Sequence, residues 1–319
     1  MKIMKVGFRA KNRKSWMKRN RRFLAIVIVL ACVMTNNAYA CDSQDETICC
    51  SDKSLDNKVY SPEFPDAYIL TENKSTRLGY GKIQKEISAT VFVEETIELI
   101  DGQAIITESR LLSEAEVKEI GEDNFEDLSN VTRDLPAIPE ESNTRGKLTI
   151  SFTAYSQSEG NGITINCGGT AHWSGFNFIY SPKNNPAVGN DFFGIIWAGN
   201  YWVTSHSFSV YWHNNSGITS PTYYHPSPNS AAVYEFSEYY EVGSYTSTYV
   251  QDADIAVTLH KNTLTGNGNL ADIIMKYIHT YETLTPSVNL NFSQMPVGFS
   301  LSPVANQWSL ETEPFRFPY

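Results

Sequence analysis

The chain has 319 residues, 41% of them hydrophobic and 19% charged, with a formal net charge of −10. This composition excludes a disordered chain and a multi-span membrane protein. Residues 1–22 hold ten Lys and Arg and no acid, which leaves 15 bases against 35 acids elsewhere, a net −20 that argues against nucleic acid and against simple attraction to anionic lipid.

The first element is an export signal. A basic stretch ends at Arg21-Arg22, an apolar run follows from Phe23 to Met34, and Ala38-Tyr39-Ala40 forms a small-x-small cleavage site before Cys41. The apolar run is shorter than the roughly 20 residues a spanning helix needs. The expectation is cleavage after Ala40 and a secreted or cell-surface location, with an uncleaved anchor as runner-up. A lipoprotein is a weaker alternative, because neither Cys32 nor Cys41 has the usual leucine context. The long basic n-region resembles the leaders of Gram-positive bacteria. In an oxidising compartment Cys41, Cys49 and Cys50 become disulfide candidates, with Cys167 as the fourth thiol. Adjacent Cys49 and Cys50 would rarely bond each other without strain, so Cys41 with either one is the plausible pair.

Residues 41–80 are acidic, polar and broken by Ser61-Pro62 and Phe64-Pro65, and read as a flexible approach segment. Residues 81–134 read as a small α+β unit. Thr90–Ile100 and Gln103–Leu111 are β-rich runs joined by Asp101-Gly102, a hairpin by pattern and turn chemistry. Ser113 and Glu116 form a capping box for a short helix over 114–120, and Gly121 stands where it should stop. The carboxylates around it (Glu114, Glu116, Glu119, Glu122) are read as a solvated helix face rather than a cation site.

Residues 135–147, with Pro136 and Pro139, read as a linker. Composition changes there: ten aromatics lie in 1–147, but 30 lie in 148–319 together with all six histidines and only 15 Asp, Glu, Lys or Arg. The later region reads as successive turn-delimited strands. The expected class is therefore mainly β, a C-terminal antiparallel β-sandwich or barrel-like domain over 148–319, preceded by the hairpin-helix unit. The run 270–281 fits a helical stripe and an alternating strand; its β-branched and aromatic content favours strand.

Alternation assigns faces. Over 201–213 the even positions, from Trp202 to Trp212, are expected to be core. Ile255, Val257 and Leu259 face in and His260 faces out. Ile163, Ile165, Cys167 and Trp173 share an inward face, which makes Cys167 a buried apolar residue rather than a nucleophile.

Catalytic signatures are sparse. There is no His-Glu-x-x-His, Gly-x-Ser-x-Gly, phosphate loop or dinucleotide fingerprint. A metal site from His172, His206 and His279 needs the fold to bring them together. Cys167 and His172 fall on opposite faces of one strand, against a cysteine hydrolase. Glu235, Glu238 and Glu241 do not share one strand face, whereas Asp252 and Asp254 do, which suits either a glycosidase pair or a structural Ca²⁺. No cofactor is implied beyond that optional Ca²⁺.

What remains is surface chemistry. Ser, Thr, Asn, Tyr and Trp dominate, and rings with polar edges stack on sugars or anchor interfaces. Tyr223, Tyr224, Tyr240 and Trp202 are the candidate ligand-binding residues, and the expected partner is a glycan or protein at the cell surface. The alternative is a membrane-active β protein restrained by residues 41–147, with Arg145-Gly146-Lys147 as a processing site. A secreted hydrolase ranks third.

Overall fold

The computed structural model describes residues 58–77, 83–100, 103–125, 141–159, 162–175, 190–199, 201–212, 218–219, 223–227, 230–237, 239–242, 246–262, 271–281, 287–291, 298–302 and 306–317. The leader and Cys41, Cys49 and Cys50 lie outside them. In chain order the first strands are β1 (Val59–Tyr60), β2 (Ile69–Arg77), β3 (Ile83–Ile100) and β4 (Gln103–Leu111). Helix α1 (Glu114–Ile120) and a 3-10 turn at Glu122–Phe125 follow. Then come β5 (Glu141–Glu159), β6 (Gly162–Ser174), β7 (Asp191–Trp197), β8 (Trp202–Trp212), β9 (Ile218–Thr219), β10 (Tyr223–Ser227) and β11 (Ala231–Phe236). The chain continues through β12 (Tyr239–Val242), β13 (Thr246–Lys261), β14 (Ala271–Thr280), β15 (Ser287–Asn291), β16 (Gly298–Ser302), β17 (Gln307–Thr312) and β18 (Phe315–Phe317).

Two antiparallel sheets pack as a sandwich. The larger runs β2-β3-β5-β6-β13-β8-β9, with β4 also on β3 and β12 also on β13. The smaller runs β1-β17-β14-β7-β11-β10, with β18 also on β14. Among the described residues, strands β15 and β16 pair only with each other.

The expected hairpin is β3–β4, paired from Val93 opposite Leu111 to Ile100 opposite Gln103 with one register shift between Thr96 and Ile97. The capping box is present at α1: the Ser113 side chain accepts from the Glu116 backbone N–H, and the Ser113 N–H donates to Glu116 Oε2 at 2.8 Å. Two expectations are corrected. The approach segment contributes β1 and β2, because Ile69 and its neighbours find β3 as a hydrogen-bonding partner that local composition does not reveal. The expected linker is strand from Glu141 onward: β5 pairs with β3 without a break from Glu98 opposite Glu141 to Ile83 opposite Ser156, so the compositional step at 147 falls inside one strand.

The core lies between the sheets. The larger sheet sends in Ile87, Val91, Ile150, Phe152, Ile165, Ala171, Ile255 and Val257, and the smaller one Phe193, Ile195, Trp197, Tyr234, Met275, Tyr277 and Trp308, all buried. Gly169 is part of this fit, since a Cβ there would lie 2.9 Å from Met275 Sδ and 3.1 Å from Phe193. The smaller sheet has a second apolar cluster on its other face, Phe192, Ile196, Val233, Ile274 and Ile278. This explains the ambiguity at 270–281. Strand β14 is central and apolar on both sides, so its hydrophobic residues occupy both parities and imitate a helical stripe.

Helix α1 sits on the outer face of the larger sheet. Val117 and Phe125 pack with Leu112 and with Phe92, an outward residue of β3. The Phe92 and Phe125 rings meet edge-on, 5.0 Å between centroids. Glu94 ties the unit together, accepting from Arg110 and Arg145 at 2.7 Å each. Burial opposes ionisation there, but the hydrogen bonds from Arg110 and Arg145 win and hold the Glu94 carboxyl below its ordinary range. Among the described residues no helix is long and apolar enough to cross a membrane.

Candidate functional site

Beyond the patch covered by α1, the outer face of the larger sheet is a polar platform. Alternation on β5, β6 and β13 places inward residues in the core and turns Thr149, Ser151, Thr153, Thr164, Asn166, Thr170, Asp252, Asp254 and Thr258 outward. Hydroxyls pair across strands: Thr90 Oγ1 and Thr149 Oγ1 are 2.9 Å apart, and Ser88 Oγ and Ser151 Oγ 3.2 Å. Thr258 Oγ1 donates to Asn166 Oδ1 at 3.0 Å.

Two groups give this platform its chemistry. One is aromatic. Trp202 and His260 are cross-strand neighbours with ring centroids 5.1 Å apart. His260 is fixed on both sides, Nδ1 by Thr164 Oγ1 and Nε2 by Asn262 Oδ1, each at 2.9 Å. The expectation that Trp202 belongs to the core face is corrected here. The β8–β13 register shifts between Thr258 and Leu259, so Ser205 opposes Thr258 while Val203 opposes Leu259. Thr204 is the extra residue of a β-bulge, and a bulge reverses parity for everything beyond it. His206, Phe208 and Val210 keep the inward parity, opposite Val257, Ile255 and Ala253, while Trp202 is turned out.

The other group is acidic. Asp252 and Asp254 share the outer face of β13, opposite His172 and Thr170 of β6. His172 Nδ1 lies 2.6 Å from Asp252 Oδ1. Asp254 has no such cation among the described residues. Burial first, and then repulsion from Asp252, push its carboxyl up to about 6. A carboxyl that binds its proton more tightly in the folded state costs stability when ionised, and that cost fades as pH falls from about 6 to the unfolded value near 4. Asp254→Asn should therefore raise the melting temperature at about pH 7.5, with the gain vanishing by about pH 4. Thermal melts of the two proteins across that range check it.

The remaining candidates do not converge here. Tyr223 and Tyr224 stand on β10, opposite Glu235 and Tyr234 in the smaller sheet, and Tyr240 is on β12 opposite Thr248; their side chains lie outside the described residues. The three histidines of the metal expectation are separated: His172 is on the platform, His206 Nδ1 meets the Tyr234 hydroxyl at 2.5 Å, and His279 is buried between the sheets. Among the described residues no group of three or more His, Cys, Asp or Glu could hold a metal ion. Cys167 is a free, buried thiol, and burial pushes its pKa far up, away from nucleophilic use.

A second polar cluster lies inside the sandwich, and sequence reasoning missed it. Asp191 of β7 accepts from the Tyr277 hydroxyl, lies 3.1 Å from His279 Nδ1, and accepts from the Thr280 N–H at 3.2 Å. His279 Nε2 is 3.5 Å from Glu95 Oε1 on β3, across the sandwich. Trp173 Nε1 donates to the Tyr277 hydroxyl, and Trp308 Nε1 to Ser109 Oγ, each at 2.9 Å between the sheets. Asp191, His279 and Glu95 are at most 2% exposed. The cluster holds the sheets in register and presents no face to a ligand.

No protein-family model matches the chain, and no curated protein matches it. Solved structures that align with it include one described as manganese lipoxygenase of Gaeumannomyces graminis with partial zonadhesin of Komagataella pastoris (TM-score 0.22, 8% identity, 83% of this chain and 94% of that one). Another is the collagen adhesin of S. aureus (TM-score 0.21, 6% identity, 67% and 88%). A third is the Fcho1 Mu homology domain of Danio rerio (TM-score 0.15, 8% identity, 77% and 89%). Likeness of this degree carries no argument about ligand or activity.

Proposed function

We propose that the chain is an extracytoplasmic β-sandwich binding module that takes a glycan on the outer face of its larger sheet. The observation that carries the reading is a turned-out Trp202–His260 ring pair and, about 20 Å further along β13, an Asp252–Asp254 pair on the same hydroxyl-covered face, a span that suits an extended oligosaccharide. A sugar offers an apolar C–H face to rings and many hydroxyls to carboxylate, amide and hydroxyl partners. Asp254 supports the same reading. A half-buried carboxylate with no counter-ion among the described residues costs stability, and costly polar groups concentrate at functional sites.

The test is a glycan-array screen with the purified chain, followed by calorimetry on the best binder. Trp202→Ala should weaken binding by about tenfold or more while leaving the melting temperature little changed. A chain that binds no glycan across a broad array, or a Trp202→Ala variant with full affinity, overturns the assignment.

A further inference from the structure

Strand β2 forms one edge of the larger sheet. It is nine residues long, pairs with β3 along its whole length, and has no strand of the described residues on its other side. Leu70 to Ser75 are exposed on both faces of the strand, so this part of β2 overhangs the sandwich. Leu70 is one of only three exposed large hydrophobic residues among those described. A long edge with no strand of the described residues beside it is a template for another strand, and soluble proteins ordinarily blunt such edges.

The β2 sequence says which strand fits. Ile69-Leu-Thr-Glu-Asn-Lys-Ser-Thr-Arg77 is centred on Asn73. Placed antiparallel against a second copy with Asn73 opposite Asn73, it sets Glu72 against Lys74 and Lys74 against Glu72. Thr71 then meets Ser75, and Leu70 meets Thr76. Directly opposed residues in antiparallel strands share a face, so both charge pairs form on the outer side, where opposite charges across strands attract. Any other register breaks both pairs or leaves strand ends unmatched.

We infer that β2 is a self-association edge: two copies of this chain join antiparallel through Ile69–Arg77, two-fold at Asn73, into one continuous sheet. The interface is a single strand pair, so the dimer is weak and depends on concentration. A two-fold axis normal to the sheet leaves both outer faces on the same side. Two polar platforms then lie side by side, an arrangement that raises avidity for a repetitive ligand. The inference does not depend on what that ligand is.

Analytical ultracentrifugation of the full chain tests it. The wild-type protein should show a monomer–dimer equilibrium. Lys74→Glu and Glu72→Lys should each weaken self-association by about tenfold, because every charge pair becomes a like-charge pair. An equimolar mixture of the two variants should restore dimers, since positions 72 and 74 are then both acidic in one copy and both basic in the copy that faces it. Far-UV circular dichroism of each variant verifies the fold, and rescue in the mixture cannot come from a misfolded chain. A wild type that stays monomeric to millimolar concentration overturns the proposal. So does a dimer indifferent to both variants, or a mixture that fails to recover.

Discussion

Asp191→Ala should lower the unfolding free energy by about 3–5 kcal/mol, the cost of removing one member of a buried charged network. Asp191 is fully buried and serves three partners at once: the Tyr277 hydroxyl, His279 Nδ1 and the Thr280 N–H. Alanine takes the same acceptor from all three in a place water does not reach, and losing a partner of a buried polar group costs about 1–3 kcal/mol. It also takes from His279 one of its two carboxylate neighbours, the other being Glu95 at 3.5 Å. For a β domain of this size the melting temperature should fall by about 10 °C. Asp191→Asn is the control. It keeps an acceptor oxygen and nearly the same volume, so its loss should be clearly smaller. Urea unfolding of the three proteins measures the order, and an alanine variant as stable as the asparagine one would show that the network holds nothing together.

Gly175→Ala should cost about 3 kcal/mol and act first on the helical unit. Gly175 follows β6 with φ of +86°, a conformation that disfavours a side chain. Space is the larger obstacle. A Cβ there would lie 2.1 Å from the Phe125 carbonyl oxygen and 3.2 Å from Gly146 Cα. Backbone cannot swing aside as a flexible side chain can, so the turn at Glu122–Phe125 must move. Phe125 would then leave its place against Phe92, Leu112 and Val117. Gly121 separates strain from clash: its φ is +87°, yet a Cβ there meets nothing closer than Asn124 Nδ2 at 3.4 Å. Gly121→Ala should therefore cost only about 1 kcal/mol. Amide exchange over 114–125 should rise sharply in the Gly175 variant and modestly in the Gly121 variant.

Both effects arise where distant segments meet, and this marks the limit of sequence reading. The site shows the same division. Asp252 and Asp254 are legible as a same-face pair because two-residue spacing on a strand fixes that locally. His260 is legible as outward for the same reason. Trp202 is not: alternation along β8 puts it on the wrong face, because a one-residue bulge at Thr204 is a property of the β8–β13 pairing and not of β8 alone. The missing signal lies in β13, which pairs with β6 without a break from Asp252 to Lys261, so the extra residue near Thr258 falls in β8.

Local chemistry in the sequence settled the β3–β4 hairpin, the capping box of α1, the strand character of the described segments after 148 and the inward thiol of Cys167. Each depends on spacings of two to four residues, over which covalent geometry and side-chain periodicity act directly. Tertiary structure decided the rest. It made strands of 59–60, 69–77 and 141–147, covered β14 on both faces, turned Trp202 outward and assembled Glu95, Asp191 and His279 from three separate strands. Those outcomes depend on which strands pair and which faces meet, and residues far apart in the chain acquire that relation only when the sheets close on each other.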